Sequence, residues 1–306
     1  MKWRLPWRAN GASSGQRIAV TVQQGQIDLV ASRNGEIIAS RSVMNADLVA
    51  TVSAFREEAK LQNPACSIVL ATGSYQILLV ESPPVPAEEL AAALRWKVKD
   101  LVNFPLEQAV IDGFPLPDDA FRGRQKMAYT VAADRTALQQ LVDELKGCEL
   151  SVDRVLIPEL VMAHAVNESL HDENTEVVLV IGRHAGFLCV FAEGSIYLAR
   201  NVGLSESTLL QIKLDPSRRE EILESFLLEL QRSRDYFESQ MGKGVVGKIL
   251  VVPTENDCQA LCEVIRERMR MNVELIDADE ITSGSAAYNV AGAEPLLLAS
   301  ASLAAA

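Results

Sequence analysis

The sequence has no hydrophobic run long enough to cross a lipid bilayer. A spanning helix needs roughly 18–20 consecutive apolar residues, and the last apolar stretch, residues 295–306, is shorter and rich in alanine and serine. The first residues carry positive charges but lack the apolar core of an export signal. We therefore expect a cytoplasmic protein that does not span a membrane.

Disulfide and metal-binding patterns are also missing. The cysteines form an odd, dispersed set without a CxxC pair, and the histidines show no ligand-like spacing. These residues are Cys66, Cys148, Cys189, Cys258, Cys262, His164, His171 and His184. Because cysteine outside disulfides behaves as a small buried hydrophobe, the sequence predicts buried inert thiols and no metal site.

Positive charge is scarce. The chain has 29 Lys and Arg residues against 41 Asp and Glu residues, a net charge of −12. A nucleic-acid-binding protein generally needs a basic face to neutralise phosphates, so we expect no nucleic-acid partner. A hydrophobic content of 48% and a length of 306 residues are typical of a folded protein with room for two domains.

The first segment, residues 1–16, is interpreted as a mobile tail that ends in a Gly/Ser-rich linker. Its apolar residues alternate with basic ones, and its candidate docking residues are Trp3, Leu5, Pro6, Trp7 and Arg8. Two interpretations are open. In the first, the tail is a docking motif that binds a partner protein or an anionic membrane surface. In the second, it is a frayed end that folds back onto the body of the protein.

Two β-rich openings organise the rest of the chain. From residue 17, alternating residues predict three strands, a helix over 47–62 and two further strands, with a hairpin turn at Asn34-Gly35. Residues 176–203 again predict three strands. A long helix over 216–240, a strand over 248–252, a helix over 255–270 and a strand over 272–275 follow.

The most informative stretch is residues 83–117. Pro86 suits the first turn of a helix, where its missing N–H has no partner to lose. The apolar face of this helix comprises Leu90, Leu94, Val98, Leu101 and Val102. Because a residue before proline is disfavoured in a helix, the helix is predicted to end at Asn103-Phe104-Pro105. Alternation over 109–114 then predicts a strand.

This stretch resembles the PilM family of type IV pilus assembly proteins. The resemblance lies in the VPAEEL opening, the Arg95-Trp96 pair and the run VNFPLEQAVID. The later run LLELQRSRDYFESQ is similar to another helix of that family, so the resemblance covers residues 17–303. Within the family the chain is most similar to the MshI branch, which serves mannose-sensitive haemagglutinin (MSHA) pili. The cytoplasmic domain of the secretion protein GspL and the division protein FtsA are more distant.

The resemblance implies an α/β, actin-like ATPase (ribonuclease H-like) fold with duplicated halves and an inserted small α+β subdomain. It divides the chain into four parts. After the tail, we expect a first actin-like subdomain at 17–82 plus 155–172, the inserted subdomain at 83–154, and the second actin-like half at 173–306.

In such ATPases two hairpins with Asp-x-Gly turns hold phosphates and magnesium, and a late glycine pair accommodates adenosine. Here Thr21 and Gln23 stand where the first aspartate and glycine are expected. Val180 occupies the second aspartate position, although Gly182 is retained, and Pro253 begins the pair that replaces the glycines. The resemblance thus implies a degenerate nucleotide cleft without catalytic residues. ATP and magnesium are disfavoured as cofactors, and we expect no enzyme.

The resemblance implies a scaffold at the inner face of the inner membrane. Its partner would be the N-terminal cytoplasmic tail of a PilN-like inner-membrane protein, held in a groove between the first and inserted subdomains. Trp96, Leu101, Phe104 and Pro105 are the candidate groove residues, with ordinary packing as the alternative, above all for Leu101. Other assembly-platform proteins and the motor ATPase are further candidate partners.

Other functions stay open at this point. One alternative is an ATP-binding switch of the PilM type, and another is a GspL-like type II secretion component. A filament protein like FtsA is disfavoured because the sequence shows no C-terminal amphipathic membrane helix.

Overall fold

The computed structural model of the chain describes residues 15–123, 125–169, 175–252, 258–276 and 292–303. The strands are β1 (Gln16–Gln23), β2 (Gln26–Arg33), β3 (Glu36–Met44), β4 (Ala65–Val69), β5 (Tyr75–Glu81), β6 (Ala109–Pro115), β7 (Met127–Asp134), β8 (Ser151–Leu156), β9 (Glu176–Ile181), β10 (Gly186–Ala192), β11 (Ser195–Val202), β12 (Lys248–Val251) and β13 (Asn272–Leu275). The helices are α1 (Leu48–Glu58), α2 (Leu90–Lys97), α3 (Arg135–Gly147), α4 (Pro158–Ser169), α5 (Glu206–Leu214), α6 (Arg219–Gln240), α7 (Gln259–Met269) and α8 (Ala293–Leu303).

Two five-stranded sheets repeat one topology. The first has the order β3-β2-β1-β4-β8 and the second the order β11-β10-β9-β12-β13. In each sheet, three strands that are consecutive in sequence form an antiparallel meander. The first strand of the meander, β1 or β9, also pairs in parallel with the next strand of the sheet, β4 or β12. The predicted echo between the two β-rich openings is therefore confirmed as a structural duplication.

Local sequence signals explain most element boundaries. The turns at Gln24-Gly25, Asn34-Gly35 and Glu193-Gly194 have positive φ at both residues, which is the hairpin geometry that matches the twist of the strands. Asp47 and Asp134 cap α1 and α3 by accepting hydrogen bonds from backbone N–H groups at 2.7 Å and 2.8 Å. These elements follow from short-range chemistry.

The first sheet is covered on both faces. On one face, Ile18 and Val20 pack with Phe55 of α1 and Leu145 of α3. The opposite face, which includes Ala19, belongs to the large core that continues into the second half. Burial on both faces explains why three successive residues of β1, Ile18, Ala19 and Val20, are all apolar.

Helix α8 packs on the first sheet, although the sequence analysis assigns all of 173–306 to the second half. It lies against β1, β2, β3, β4 and α4, and the Ser32 hydroxyl donates to the Ser302 carbonyl at 2.8 Å. The physical reason is that α8 is apolar all round and needs cover on several sides.

The small sheet has the order β5-β7-β6 and is antiparallel throughout. Its composition differs from the predicted boundaries of 83–154. Strand β5, assigned above to the first subdomain, pairs with β7, whereas β8 and α3, assigned to the insert, lie with the first sheet. Pairing between strands that are far apart in sequence determines which sheet each of these elements joins. Local sequence patterns carry no information about such pairing.

Helix α2 ends earlier than predicted. Its last residue is Lys97 rather than the residue before Pro105, and the chain continues through turns that begin at Val98. The Arg95 guanidinium donates to the carbonyls of Leu106 and Ala109, so it holds the following segment back against the helix. Leu90, Leu94 and Val98 are buried against the small sheet as predicted.

The small sheet is also tied to the second half. The backbone N–H of Ala199 in β11 donates to the hydroxyl of Tyr129 in β7 at 2.8 Å. Nearby, the Lys243 ammonium bonds to Asp119 of the insert at 2.6 Å and to Glu193 of the β10–β11 turn at 2.8 Å. The insert therefore bridges the two duplicated halves.

Candidate functional site

A narrow cleft separates the two hairpins that occupy equivalent positions in the duplicated halves. Thr21 and Thr72 line it from the first half, Val180 and Gly182 line it from the second, and Glu294 of α8 lies between them. Its empty space, open solvent included, is about 330 Å³.

The first hairpin carries no carboxylate at the two positions singled out by sequence. Thr21 is buried, and the amide nitrogen of Gln23 donates to the Thr72 carbonyl at 3.0 Å. Gln23 therefore fastens the hairpin to the β4–β5 turn. Neither residue presents an anionic oxygen to a metal ion.

The second hairpin is closely packed. Val180 is fully buried in β9 and offers no polar atom from its side chain. Gly182 begins the turn, and a Cβ there would lie 2.6 Å from the Ala185 carbonyl oxygen and 2.9 Å from Oε1 of Glu294. In this structure Gly182 accommodates the close approach of the chain's own atoms.

An ion pair joins the two halves beside the cleft. Arg183, next to Gly182, donates from Nη1 to Oδ2 of Asp28 at 2.8 Å and from Nη2 to Oδ1 at 3.3 Å. Asp28 lies in β2 and is only 2% exposed, and it also accepts from the Ser42 hydroxyl. The backbone N–H of Arg183 donates to Oε1 of Glu294 at 2.5 Å. Three distant segments thus meet at this point.

Sequence reasoning missed this network. Asp28 is the cross-strand partner of Thr21, so a carboxylate is present next to the position where one was judged missing. The available signal was an isolated aspartate inside an otherwise buried strand, since an ionised side chain there requires a partner. Its partner lies 155 residues away, and only the tertiary structure identifies it.

A second buried carboxyl lies beside the cleft. Glu159, in the first turn of α4, is fully buried, and its Oε2 accepts a hydrogen bond from the Tyr75 hydroxyl at 2.5 Å. Burial raises the pKa of Glu159 to about 7, although the Tyr75 hydrogen bond opposes the shift. Burial likewise raises the pKa of Tyr75. Solvent does not reach Glu159, so the pair lies in the interior beside the cleft.

The candidate groove residues are on the surface. Trp96 is 72% exposed and Leu101 is 52% exposed, Pro105 is exposed, and Phe104 is half-buried. The alternative of core packing for Leu101 is therefore wrong, because the chain leaves the helix at Val98 and turns this side chain outwards.

The exposed segment runs beside β5 of the small sheet. Its two ends are fixed by Lys97, whose ammonium lies 3.2 Å from Oε2 of Glu81, and by Asn103, whose N–H donates to the Gln76 side chain at 2.8 Å. Among the described residues, β5 pairs with β7 alone. The structure therefore brings an apolar surface segment next to a strand with one unpaired edge.

Several predicted residues fall outside the described ranges. They are Trp3, Leu5, Pro6, Trp7 and Arg8 of the tail, Pro253 of the cleft, and His171. All five cysteines are buried thiols, as predicted. Within the described ranges, no group of His, Cys, Asp and Glu residues could hold a metal ion, and no helix is long and apolar enough to cross a membrane.

No protein-family model matches the chain, and no curated protein matches it in sequence. Solved structures do resemble it. A structure of the PilM-PilN type IV pilus biogenesis complex superposes with a TM-score of 0.74 at 16% identity, covering 94% of this chain and 99% of that chain. The cytoplasmic domain of EpsL, an inner membrane component of the type II secretion system of Vibrio cholerae, gives 0.51 at 16% identity over 77% and 81%.

A third solved structure extends the likeness. A Bacteroides thetaiotaomicron protein with an actin-like ATPase fold and unknown function gives a TM-score of 0.55 at 11% identity, over 90% of this chain and 97% of that one. At these identities the comparisons show the fold. The predicted α/β, actin-like architecture with duplicated halves and an inserted small subdomain is confirmed.

Proposed function

We propose that this actin-fold chain is a non-catalytic scaffold of a type IV pilus assembly platform, of the MSHA type, at the cytoplasmic face of the inner membrane. Two observations support the platform role. The fold similarity to the PilM-PilN complex spans nearly the whole of both chains, and the sequence resemblance to the PilM family is concentrated in residues 83–117. The finer MSHA assignment rests on the sequence resemblance alone.

The observation that carries the proposal is the exposed apolar segment beside β5. Exposed apolar patches mark interaction surfaces, and Trp96 and Leu101 are two large, exposed hydrophobic side chains of this segment. A strand with one unpaired edge can accept an extended peptide through backbone hydrogen bonds, while apolar pockets select its side chains. The proposed ligand is the N-terminal cytoplasmic peptide of a PilN-like inner-membrane protein.

The cleft supports the non-catalytic part of the proposal. The two hairpins present Thr21 and Val180 where metal-facing carboxylates are expected, and the nearby carboxylate, Asp28, is paired with Arg183. We infer that the actin-like fold serves here as a binding scaffold and not as a nucleotide-hydrolysing enzyme. A type II secretion scaffold similar to the EpsL cytoplasmic domain is the second candidate, which the similarity to that domain supports.

The proposal is tested with a synthetic peptide of the PilN-like protein's N-terminal cytoplasmic residues, titrated calorimetrically into the full chain. Trp96→Ala should weaken binding at least about 10-fold, because truncating a hot-spot aromatic costs about 2 kcal/mol or more and about 1.4 kcal/mol corresponds to a factor of ten. Thermal stability should stay unchanged, since the side chain is mostly exposed.

Leu214→Ala is the matched control, because Leu214 is 77% exposed on α5 of the second half. It should leave the affinity unaltered. Equal affinities for the parent, Trp96→Ala and Leu101→Ala would remove the proposed binding surface. If the peptide of a secretion-system homologue binds and the pilus peptide does not, the second candidate replaces the first.

A further inference from the structure

We propose that the Arg183–Asp28 ion pair is a built-in latch that holds the two actin-like halves closed without nucleotide. The inference rests on the proposed nucleotide-independent cleft. In the actin-like ATPases that the sequence resembles, a bound nucleotide and its metal connect the two hairpins. Here a side chain of the second hairpin reaches across to the first half and makes that connection itself.

The geometry of the pair favours a specific attachment. Each of the two guanidinium nitrogens donates to a different carboxylate oxygen, Nη1 to Oδ2 at 2.8 Å and Nη2 to Oδ1 at 3.3 Å. Such two-pronged pairs fix orientation as well as distance. The backbone N–H of Arg183 is held by Glu294 at 2.5 Å. The turn is thereby positioned before the side chain extends towards Asp28.

Burial makes closure necessary for charge balance. Asp28 is 2% exposed in the middle of β2, and a carboxylate removed from water needs a cation or several donors. Ser42 and Gln26 supply neutral donors from the first half, whereas the cation comes from the second half. When the halves separate, the cation moves away from Asp28, so opening is opposed electrostatically.

Close packing around the turn supports the same conclusion. Gly182 approaches Ala185 and Glu294 so closely that a Cβ would clash, and α8, which carries Glu294, packs on the first sheet. The second hairpin, α8 and the first sheet therefore share one continuous contact. The latch therefore lies beside the cleft, next to Gly182 of the second hairpin and Thr21 of the first.

The test is hydrogen exchange of the full chain, measured by mass spectrometry without nucleotide or partner. In Arg183→Gln, exchange at residues 23–26 and 182–186 should accelerate at least 10-fold, and small-angle scattering should show a larger radius of gyration. Exchange within α6 should stay at the parent rate, since the change affects opening and not the helices.

Arg268→Gln is the matched control. It also removes an arginine that pairs with two carboxylates, Glu220 and Glu224, but that cluster lies wholly within the second half. Its hairpins should exchange at the parent rate. If Arg183→Gln fails to fold, the double variant Asp28→Asn with Arg183→Gln decides, because it removes both charges of the pair and still lacks the latch.

Parent-like exchange at both hairpins in these variants overturns the latch. That result is independent of the proposed function, because no peptide or ATP is present. Conversely, tight ATP binding by the parent chain would contradict the proposed function while the exchange experiment still reports on the latch.

Discussion

Buried carboxyl groups dominate the chemistry at the scale of single residues. Asp28 is compensated by an arginine from the other half, whereas Glu159 has the Tyr75 hydroxyl and a raised pKa. Burial also raises the pKa of Glu294, against the opposing effects of the Arg183 N–H and guanidinium. Three acids near one cleft are thus stabilised in three different ways, by an ion pair, by a neutral hydrogen bond and by a backbone donor.

Glu159 gives a prediction about pH. Its folded-state pKa of about 7 lies above the reference value of 4.5, so the folded state binds the proton more tightly than the unfolded state does. The stability that this proton provides is complete below about pH 4.5 and is lost as the pH rises through 7. Glu159→Gln removes that loss. Relative to the parent, the variant should gain up to about 3 kcal/mol between pH 4.5 and pH 8.

The measurement is the free energy of unfolding in urea at several pH values. Glu57→Gln is the control, because Glu57 is exposed on α1, and its unfolding should follow the parent across the range. A parallel pH dependence of the parent and Glu159→Gln would contradict the prediction.

At the scale of elements, the small sheet and α8 show that an element's neighbours are not those of its sequence segment. Strand β5 follows β4 along the chain but pairs with β7. Helix α8 follows the second half but packs on the first sheet. In both cases the element buries its apolar surface against a part of the fold that is distant in sequence. Which part this is depends on how all the layers of the fold are arranged.

Helix α8 gives a prediction about stability. Leu298 is fully buried and contributes to the wall of the cleft. Leu298→Ala should lower the free energy of unfolding by about 2–5 kcal/mol, because it removes apolar burial and leaves a cavity. The check is thermal or urea unfolding beside the exposed control Leu214→Ala. Equal loss of stability in both variants would show that α8 does not pack as described.

At the scale of the whole molecule, the described residues show several connections between the halves. Arg183 joins them beside the cleft, α8 joins the second half to the first sheet, and the small sheet is tied to β11 through Tyr129. The small sheet is therefore connected to both halves through direct contacts. This continuity is what a scaffold requires, since a bound peptide is then held by one cooperative unit.

The cleft gives the prediction at this scale. Titration of the purified chain with ATP and magnesium should produce no saturable heat up to millimolar concentration. The reason is that the hairpins lack the expected metal-facing carboxylates, and Asp28 is already paired with Arg183. Partner-peptide binding by the same preparation serves as the control for folding. Saturable micromolar binding would instead support the nucleotide-switch alternative.

The sequence by itself determined the local elements. Asn34-Gly35, the caps Asp47 and Asp134, and the apolar stripe through Leu94 act over a few residues, so their signals are complete within the segment. The resemblance of residues 83–117 to a known family also pointed to the correct fold. The sequence also shows Thr21 and Val180 in the two hairpins, whereas the loss of a nucleotide and metal site there stays a prediction.

Only the tertiary structure decided which surfaces meet. It placed α8 on the first sheet, moved β5 into the small sheet, turned Leu101 towards solvent and joined Asp28 to Arg183. The physical reason is that periodicity tells which side of an element is buried but not what covers it. A charged residue in a buried strand, such as Asp28, indicates that it needs a partner. Which distant residue becomes that partner is determined by how the layers pack.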